Sequence, residues 1–287
     1  MISRSKARGR HDVERDFSSW HEFVSSASDN SRFAWTRSRK RSSHDSDAST
    51  WHGTKTWDEA LKMASLTGWP EGRTMLQDSL AVVAPRPTIY PSLEFDVAGA
   101  FPCVPLYCAG DPSCMVLDPG ESLRMSRPIV RIDYNHWISA NVSPKSMMLR
   151  GAAVLSLADT LERRGISTEL RIIGNSQEGK FAFRYSIVYK RAGEPLDIDR
   201  AAFAIAHPSS MRRLAFAILE QHKELEPDFQ HVYGYPMHEP NDPSSETIFV
   251  PGSRGNETPA SAKLAVEIAA KELMSGELAN AQNVPFS

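Results

Sequence analysis

The sequence predicts an α/β fold: a three-layer sandwich around a mostly parallel sheet, preceded by a small helical segment and a flexible N-terminal arm. Three observations carry that prediction. A short apolar run, Ile129-Val130-Arg131-Ile132, is followed by a long helical stripe and then by a second apolar run, Thr168 to Ile173. A strand, a helix and a strand joined by short links form a right-handed crossover, which makes the two strands parallel. Beyond that unit strands and helices continue to alternate, in the order β-α-β-β-α-α-β-β-α. The composition, 41% hydrophobic and 24% charged over 287 residues, suits a globular chain that buries a core without disulfides.

The elements follow in chain order. Residues 1–50 hold ten Lys/Arg and seven Asp/Glu, a net +3 that leaves −5 on the rest of the chain. Ser, Arg and Asp dominate this stretch and predict a flexible arm. One short helix is expected from Asp16 to Ser26, with Phe17, Trp20, Phe23 and Val24 on one face. Residues 51–83 predict a helical hairpin. Thr56 and Glu59 have capping-box spacing, and Asp58 complements the positive helix end. Trp57, Leu61 and Ala64 repeat at helical spacing, Gly68 stops the helix, and Pro70 opens a second one toward Val82.

Residues 84–127 are rich in proline and glycine. They predict a connector with short strands at Leu93 to Val97 and Val104 to Tyr107. Residues 128–287 predict the α/β domain itself. Ser143 caps a helix that Pro144 enters, with Met148, Ala152, Leu155, Ala158 and Leu161 on its stripe and Gly165 at its end. Gly174 to Gly179 reads as a hairpin-like turn before the alternating strand Phe181 to Tyr189. Asp197 caps a helix to Ala206, His207-Pro208 breaks it, and another helix runs to His222. Gln230 to Tyr233 and Thr247 to Val250 read as strands, and Thr258-Pro259 opens a last helix to Met274.

Charge and cysteine usage narrow the function classes. A formal net charge of −2 gives no global drive toward nucleic acid or an anionic surface. No apolar run is long enough to span a bilayer, and the Arg/Ser-rich start lacks the apolar segment of a secretory signal. The three cysteines, Cys103, Cys108 and Cys114, sit close together. Their odd number argues against a disulfide framework and for a reducing, cytoplasmic setting.

Several residues are candidates for chemistry, each against a plainer reading. Asp133, Asn135 and Ser139 lie just past a strand's C-terminal end, where α/β sheets bind ligands. The plainer reading is an Asp that caps a loop. Cys103, Cys108 and Cys114 lack the tight pairs and fourth ligand of a zinc site and read as small apolar residues. His207, His231 and His238 have no nucleophile in a recognisable elbow, so they read as structural. Arg37, Arg39, Lys40 and Arg41, beside Phe33 and Trp35, suit phosphate contact and base stacking, or else a solvated linker. Gly252-Ser253-Arg254-Gly255 lacks the spacing and Lys ending of a phosphate loop and reads as a turn. Trp51, Trp57 and Trp69 read as hairpin core or as a protein-binding surface.

Two resemblances complete the reading. Trp51-x-Gly53, Trp57-x-Glu59-Ala60 and Gly68-Trp69-Pro70-Glu71-Gly72 resemble a family of uncharacterised proteins encoded by tailed phages and prophages. Gly110-Asp111-Pro112-Ser113-Cys114-Met115, Arg150-Gly151-Ala152-Ala153 and His207-Pro208-x-x-Met211-Arg212-Arg213 resemble the same family. Residues 128–275 also resemble the von Willebrand factor A-type fold, whose first strand ends in a cation-ligating Asp-x-Ser-x-Ser. Here that segment is Asp133-Tyr134-Asn135-His136-Trp137, and the later Asp-Gly-x-Pro reads Tyr233-Gly234-Tyr235-Pro236. One remaining carboxylate does not make a hard-cation site, so the resemblance implies a metal-free A-type domain. The expected function is a phage-encoded, non-enzymatic interaction or scaffold protein that binds a protein partner and needs no cofactor. The alternative is a nucleic-acid-associated protein acting through the basic arm. A third reading is an enzyme with a remnant metal site at Asp133.

Overall fold

The structure is a computed structural model. It describes residues 2–5, 11–32, 34, 42–44, 49–72, 74, 95–99, 101–116, 129–163, 165–225, 233, 235–237, 247–253 and 255. Within them the chain is α/β with a mostly parallel central sheet and packed helices, the class the sequence predicts.

The N-terminal region contains β1 (Ile2–Ser5), β2 (His11–Phe17) and α1 (Trp20–Ser28). It continues through α2 (Ser49–His52) and α3 (Trp57–Lys62), which runs on as a π-helical turn, Met63–Thr67. A small second sheet holds β3 (Phe95–Asp96), β4 (Phe101–Pro102) and β5 (Met115–Val116), with α4 (Val104–Cys108) between the last two. The main domain then runs β6 (Ile129–Asn135), α5 (Pro144–Arg163), β7 (Ser167–Glu178) and β8 (Phe181–Lys190). After it come α6 (Ile198–Ala201) with a π-helical extension Ala202–Ala206, a π-helical segment Ser210–Ala215, α7 (Phe216–Leu219), β9 (Tyr235–Pro236) and β10 (Thr247–Val250).

Among the described residues the main sheet has the order β1-β2-β8-β7-β6-β10, with β9 also paired to β7. β2–β8, β6–β7 and β6–β10 are parallel pairs, and β7–β8 is an antiparallel hairpin. The crossover from β6 through α5 to β7 is therefore as expected from sequence. Register sorts the two faces. Val13, Phe17, Phe183, Tyr185, Ile187, Leu170, Ile172, Val130 and Ile132 share one face, and Asp12, Glu14, Arg184, Arg171, Arg131 and Asp133 share the other. The apolar face is buried against helices: Phe23 of α1 stacks on Tyr185 at 6.0 Å, and Trp137 lies 5.5 Å from Phe216.

The structure corrects the N-terminal boundary. Residues 11–28 are not part of a flexible arm. β2 is a parallel strand beside β8, and Phe17, Phe23, Val24 and Ala27 are core. The expected helix is α1, but it starts only at Trp20, after the Ser19 cap, because Asp16 and Phe17 belong to the strand. The reason is alternation. Val13, Arg15 and Phe17 point inward while Asp12, Glu14 and Asp16 point outward, so a charged composition hides a strand with one buried face. Arg15 remains tolerable inside because its guanidinium donates to Ser26 Oγ at 2.9 Å and lies 5.0 Å over the Phe17 ring.

One smaller expectation also changes. Val104 to Cys108 is a helix rather than a strand, since Pro105 sits in its first turn, where its missing N–H costs nothing. Tyr235–Pro236 forms a described strand antiparallel to β7, and of the expected strand Gln230 to Tyr233 only Tyr233 is among the described residues. Gln230 and His231, the helix toward Val82 beyond Thr74 and the last helix from Thr258 lie outside the described residues.

Candidate functional site

Long-range side-chain bonds converge on the segment from His207 to Arg213. Arg213 is fully buried, its Nε donating to Thr54 Oγ1 at 2.8 Å. Its two terminal nitrogens donate to the carbonyls of Ser43 and Thr54, each at 2.9 Å. Arg212 donates to the Trp51 and Val142 carbonyls at 2.7 Å and lies 4.2 Å above the Trp51 ring. Burial lowers its pKa to about 9. Ser209 Oγ donates to the His52 carbonyl at 2.6 Å, and the Ile138 N–H donates to Met211 Sδ at 3.1 Å.

The backbone fits this junction closely. Gly53 has φ +83°, and a Cβ there would press on the His207 ring at 3.0 Å. Arg150 Nη2 donates to the Pro251 carbonyl, and the next residue, Gly151, lets α5 approach Ala206 so closely that a Cβ would collide with its backbone. The blocks around Trp51, Arg150 and His207 are distant in sequence but meet at the loop ends of β6 and β10. Their guanidinium donors reach backbone carbonyls, charge-assisted bonds that hold loops in place. This chemistry is architectural.

The Asp133 region is also closed. Asp133 is buried, its Oδ1 lying 3.2 Å from Arg171 Nε and 3.6 Å from Arg131 Nε. Asn135 donates to the Met237 carbonyl at 3.0 Å and accepts from the backbone N–H groups of Trp137 at 3.0 Å and Asn175 at 3.4 Å. It therefore ties β6 to β7 and β9. The Ser139 N–H donates to the Ser253 carbonyl at 2.8 Å, which extends the β6–β10 pairing. At Gly252 a Cβ would meet the Trp137 carbonyl, so this glycine serves a close chain crossing rather than a phosphate. No group of three or more His, Cys, Asp or Glu able to hold a metal occurs among the described residues.

Next to Asn135, His136 bonds with Tyr185 inside the core. Burial lowers the His136 pKa to about 3 and pushes the Tyr185 hydroxyl well up. His207 is held down to about 4, again by burial, with the Gly53 backbone opposing. Both rings are neutral structural groups at pH 7. A cleft of about 300 Å³ opens beside α1, floored by Trp20 and Tyr189. The charges on its rim pair locally, Arg191 with Glu194 at 3.7 Å and Arg200 with Asp197 at 3.5 Å.

The remaining candidates divide sharply. Trp57 is buried and stacks on His44 at 4.1 Å; Trp69 is buried with its edge 4.8 Å from His207. Trp51 is half-buried and donates from Nε1 to the Ala140 carbonyl at 3.0 Å. Trp57 and Trp69 are therefore internal joints, while Trp51 ties its helix to Ala140 and keeps part of its ring exposed. Arg37, Arg39, Lys40, Arg41, Phe33, Trp35, His231 and His238 lie outside the described residues.

Sequence reasoning expected short strands between residues 84 and 127, one of them at Leu93 to Val97, but missed that they pair as a small sheet. Phe95, Val97, Phe101, Val104 and Tyr107 are exposed there, Tyr107 at 68% and Val104 at 65%. Residues 95–116 carry two carboxylates, Asp96 and Asp111, and no Lys or Arg. The run of apolar residues was visible, but its prolines and glycines made it read as a connector. The cysteines belong to the same module: Cys108 is exposed, Cys103 and Cys114 are half-exposed, and all are free thiols.

The family model described as "Domain of unknown function (DUF7192)" matches residues 6–275. No curated protein and no solved structure matches the chain.

Proposed function

We propose that this member of the DUF7192 family is a non-enzymatic interaction or scaffold protein, encoded by a phage and acting in the bacterial cytoplasm. Its α/β domain serves as a metal-free A-type platform, and its partner is another protein. The observation that carries this reading is the exposed apolar module at residues 95–116. Scattered surface apolar residues need no explanation, but five exposed apolar side chains gathered in one small sheet and its helix support an interaction site. The absence of basic residues there favours a partner face that is apolar and carries Lys or Arg. Asp133 and Asn135 support the same reading. Their oxygens face arginines and backbone N–H groups instead of an open ligand position. No helix among the described residues is long and apolar enough to cross a membrane.

The test compares tagged wild type with a Val104→Asp/Tyr107→Asp variant in affinity purification from host cells. Both side chains are exposed, so the variant keeps the wild-type melting temperature. The expected result is a stoichiometric protein retained by wild type and lost by the variant. Retention of every partner by the variant overturns the assignment to this module. A mobility-shift arm distinguishes the alternative. If the intact chain binds DNA at low salt and releases it steeply as salt rises, the Arg37–Arg41 segment is the functional surface instead.

A further inference from the structure

Three cysteines lie within twelve residues of one another, and a backbone hydrogen bond in the small sheet joins two of them. β4 and β5 pair antiparallel with Phe101 opposite Val116 and Pro102 opposite Met115. Continuing that register by one step puts Cys103 opposite Cys114. A hydrogen bond shows that the ladder does continue: the Cys103 N–H donates to the Cys114 carbonyl at 2.7 Å. The Cys103 carbonyl in turn accepts from the Tyr107 N–H of α4, so the ladder ends at this pair. Directly opposite residues of an antiparallel ladder have Cα atoms about 4.5–5.5 Å apart, and disulfides form at Cα separations of about 4.4–6.8 Å. Opposite residues also project their side chains to the same side of the sheet. Cys108 is placed differently. It sits on α4, inside the excursion between the two strands, and is exposed.

We propose that Cys103 and Cys114 are a thiol pair that a low-molecular-weight disulfide, such as oxidised glutathione, converts to an intramolecular cross-strand disulfide, leaving Cys108 as a free thiol. In the first step one cysteine thiolate attacks the glutathione disulfide, forming a mixed disulfide and releasing one glutathione thiolate. The opposite cysteine, as thiolate, then attacks the protein sulfur of that mixed disulfide. The Cys103–Cys114 bond forms and the second glutathione thiolate leaves. Two thiol protons end on the two glutathione molecules, the protein pair loses two electrons, and one glutathione disulfide is reduced. Both cysteines are half-exposed, so reagent reaches them. Each strand of the module is two residues long, so the ladder can draw in to bonding geometry. The bond closes the base of the excursion that carries Val104 and Tyr107. It is chemistry of the chain itself and stands whether or not this module meets a partner.

The test incubates the full chain, reduced and then freed of reductant, with oxidised glutathione, and counts thiols after denaturation. The expected count falls from three to one, with a mass loss of two hydrogens and no glutathione adduct. Asp-N cleavage before Asp111, run without reductant, then yields fragments that remain joined. Cys108→Ser keeps this reaction, falling from two thiols to none. Cys103→Ser and Cys114→Ser instead give glutathione adducts or stay reduced. Three surviving thiols in wild type, or a bond that still forms in Cys103→Ser, overturns the proposal. The Cys108→Ser measurement remains decisive if either of the other variants fails to fold.

Discussion

At the scale of single residues, buried polar groups tie distant segments of this fold together. Arg212 and Arg213 are buried, yet their donors reach carbonyls and Thr54. Asp133 plays the complementary part, a buried acid between Arg171 and Arg131. Removing one partner of such a pair leaves an uncompensated charge, which is more damaging than never having the pair. Asp133→Ala should therefore lower stability by about 3 kcal/mol, the low end for a buried pair because Arg171 is partly exposed. The midpoint of urea unfolding reads this directly. In the same experiment Mg²⁺, Mn²⁺ or Ca²⁺ should leave the wild-type melting temperature unchanged. A cation binding only the native state at about a hundred times its Kd would add about 2.7 kcal/mol. A rise of that size, abolished by Asp133→Ala, would restore the metal reading.

At the scale of elements, the N-terminal region is the instructive case. β2 contributes a full parallel partner to β8, and α1 covers the sheet with Phe23, fully buried against Phe17, Trp20 and Tyr185. Losing one such phenylalanine costs about 3–5 kcal/mol. Ser43 adds a further tie, donating to Glu220 through its hydroxyl at 2.6 Å while its carbonyl accepts from Arg213. Composition alone predicts that residues 1–45 can be removed with a shift of a few degrees. The structure predicts the opposite: a 46–287 fragment should lose cooperative unfolding or melt far below the full chain. Circular dichroism melts of the two decide it. A cooperative transition within a few degrees of the full chain would mean that β2 and α1 do not hold the sheet.

At the scale of the whole molecule, stability should fall in mild acid. His136 and His207 are buried neutral, with folded pKa values of about 3 and about 4, against an unfolded value of 6.5. Above pH 6.5 neither state binds the proton, and stability is at its full value. As pH falls below 6.5 the unfolded chain takes up protons that the folded one refuses. Each histidine then removes roughly 1.4 kcal/mol per pH unit, until its own folded pKa is reached. For a domain of ordinary stability, about 5–15 kcal/mol, two such groups decide whether it survives near pH 4. Urea midpoints should drop steadily from pH 7 to pH 4.5, and His207→Gln should shallow the slope. A flat profile across that range would show that the two rings are solvated.

The sequence by itself determined the local grammar of the chain. The capping pair Thr56 and Glu59, the stop at Gly68, the Ser143-Pro144 entry to α5 and the β6-α5-β7 crossover were all legible. The caps and stops lie within a few residues, where backbone sterics and hydrogen bonding act without help from the rest of the fold, and the crossover follows from the short links between adjacent elements. Tertiary structure alone decided three other things. It made a strand of His11–Phe17, whose charged alternation becomes meaningful only beside β8. It joined the Trp51 and His207 blocks through buried arginines that look like surface residues in a string. It turned a proline-rich connector into a small sheet in which the Cys103 N–H donates to the Cys114 carbonyl. In each case the deciding partner is distant in sequence. Burial and pairing are properties of what a residue meets, and the residue type does not record that.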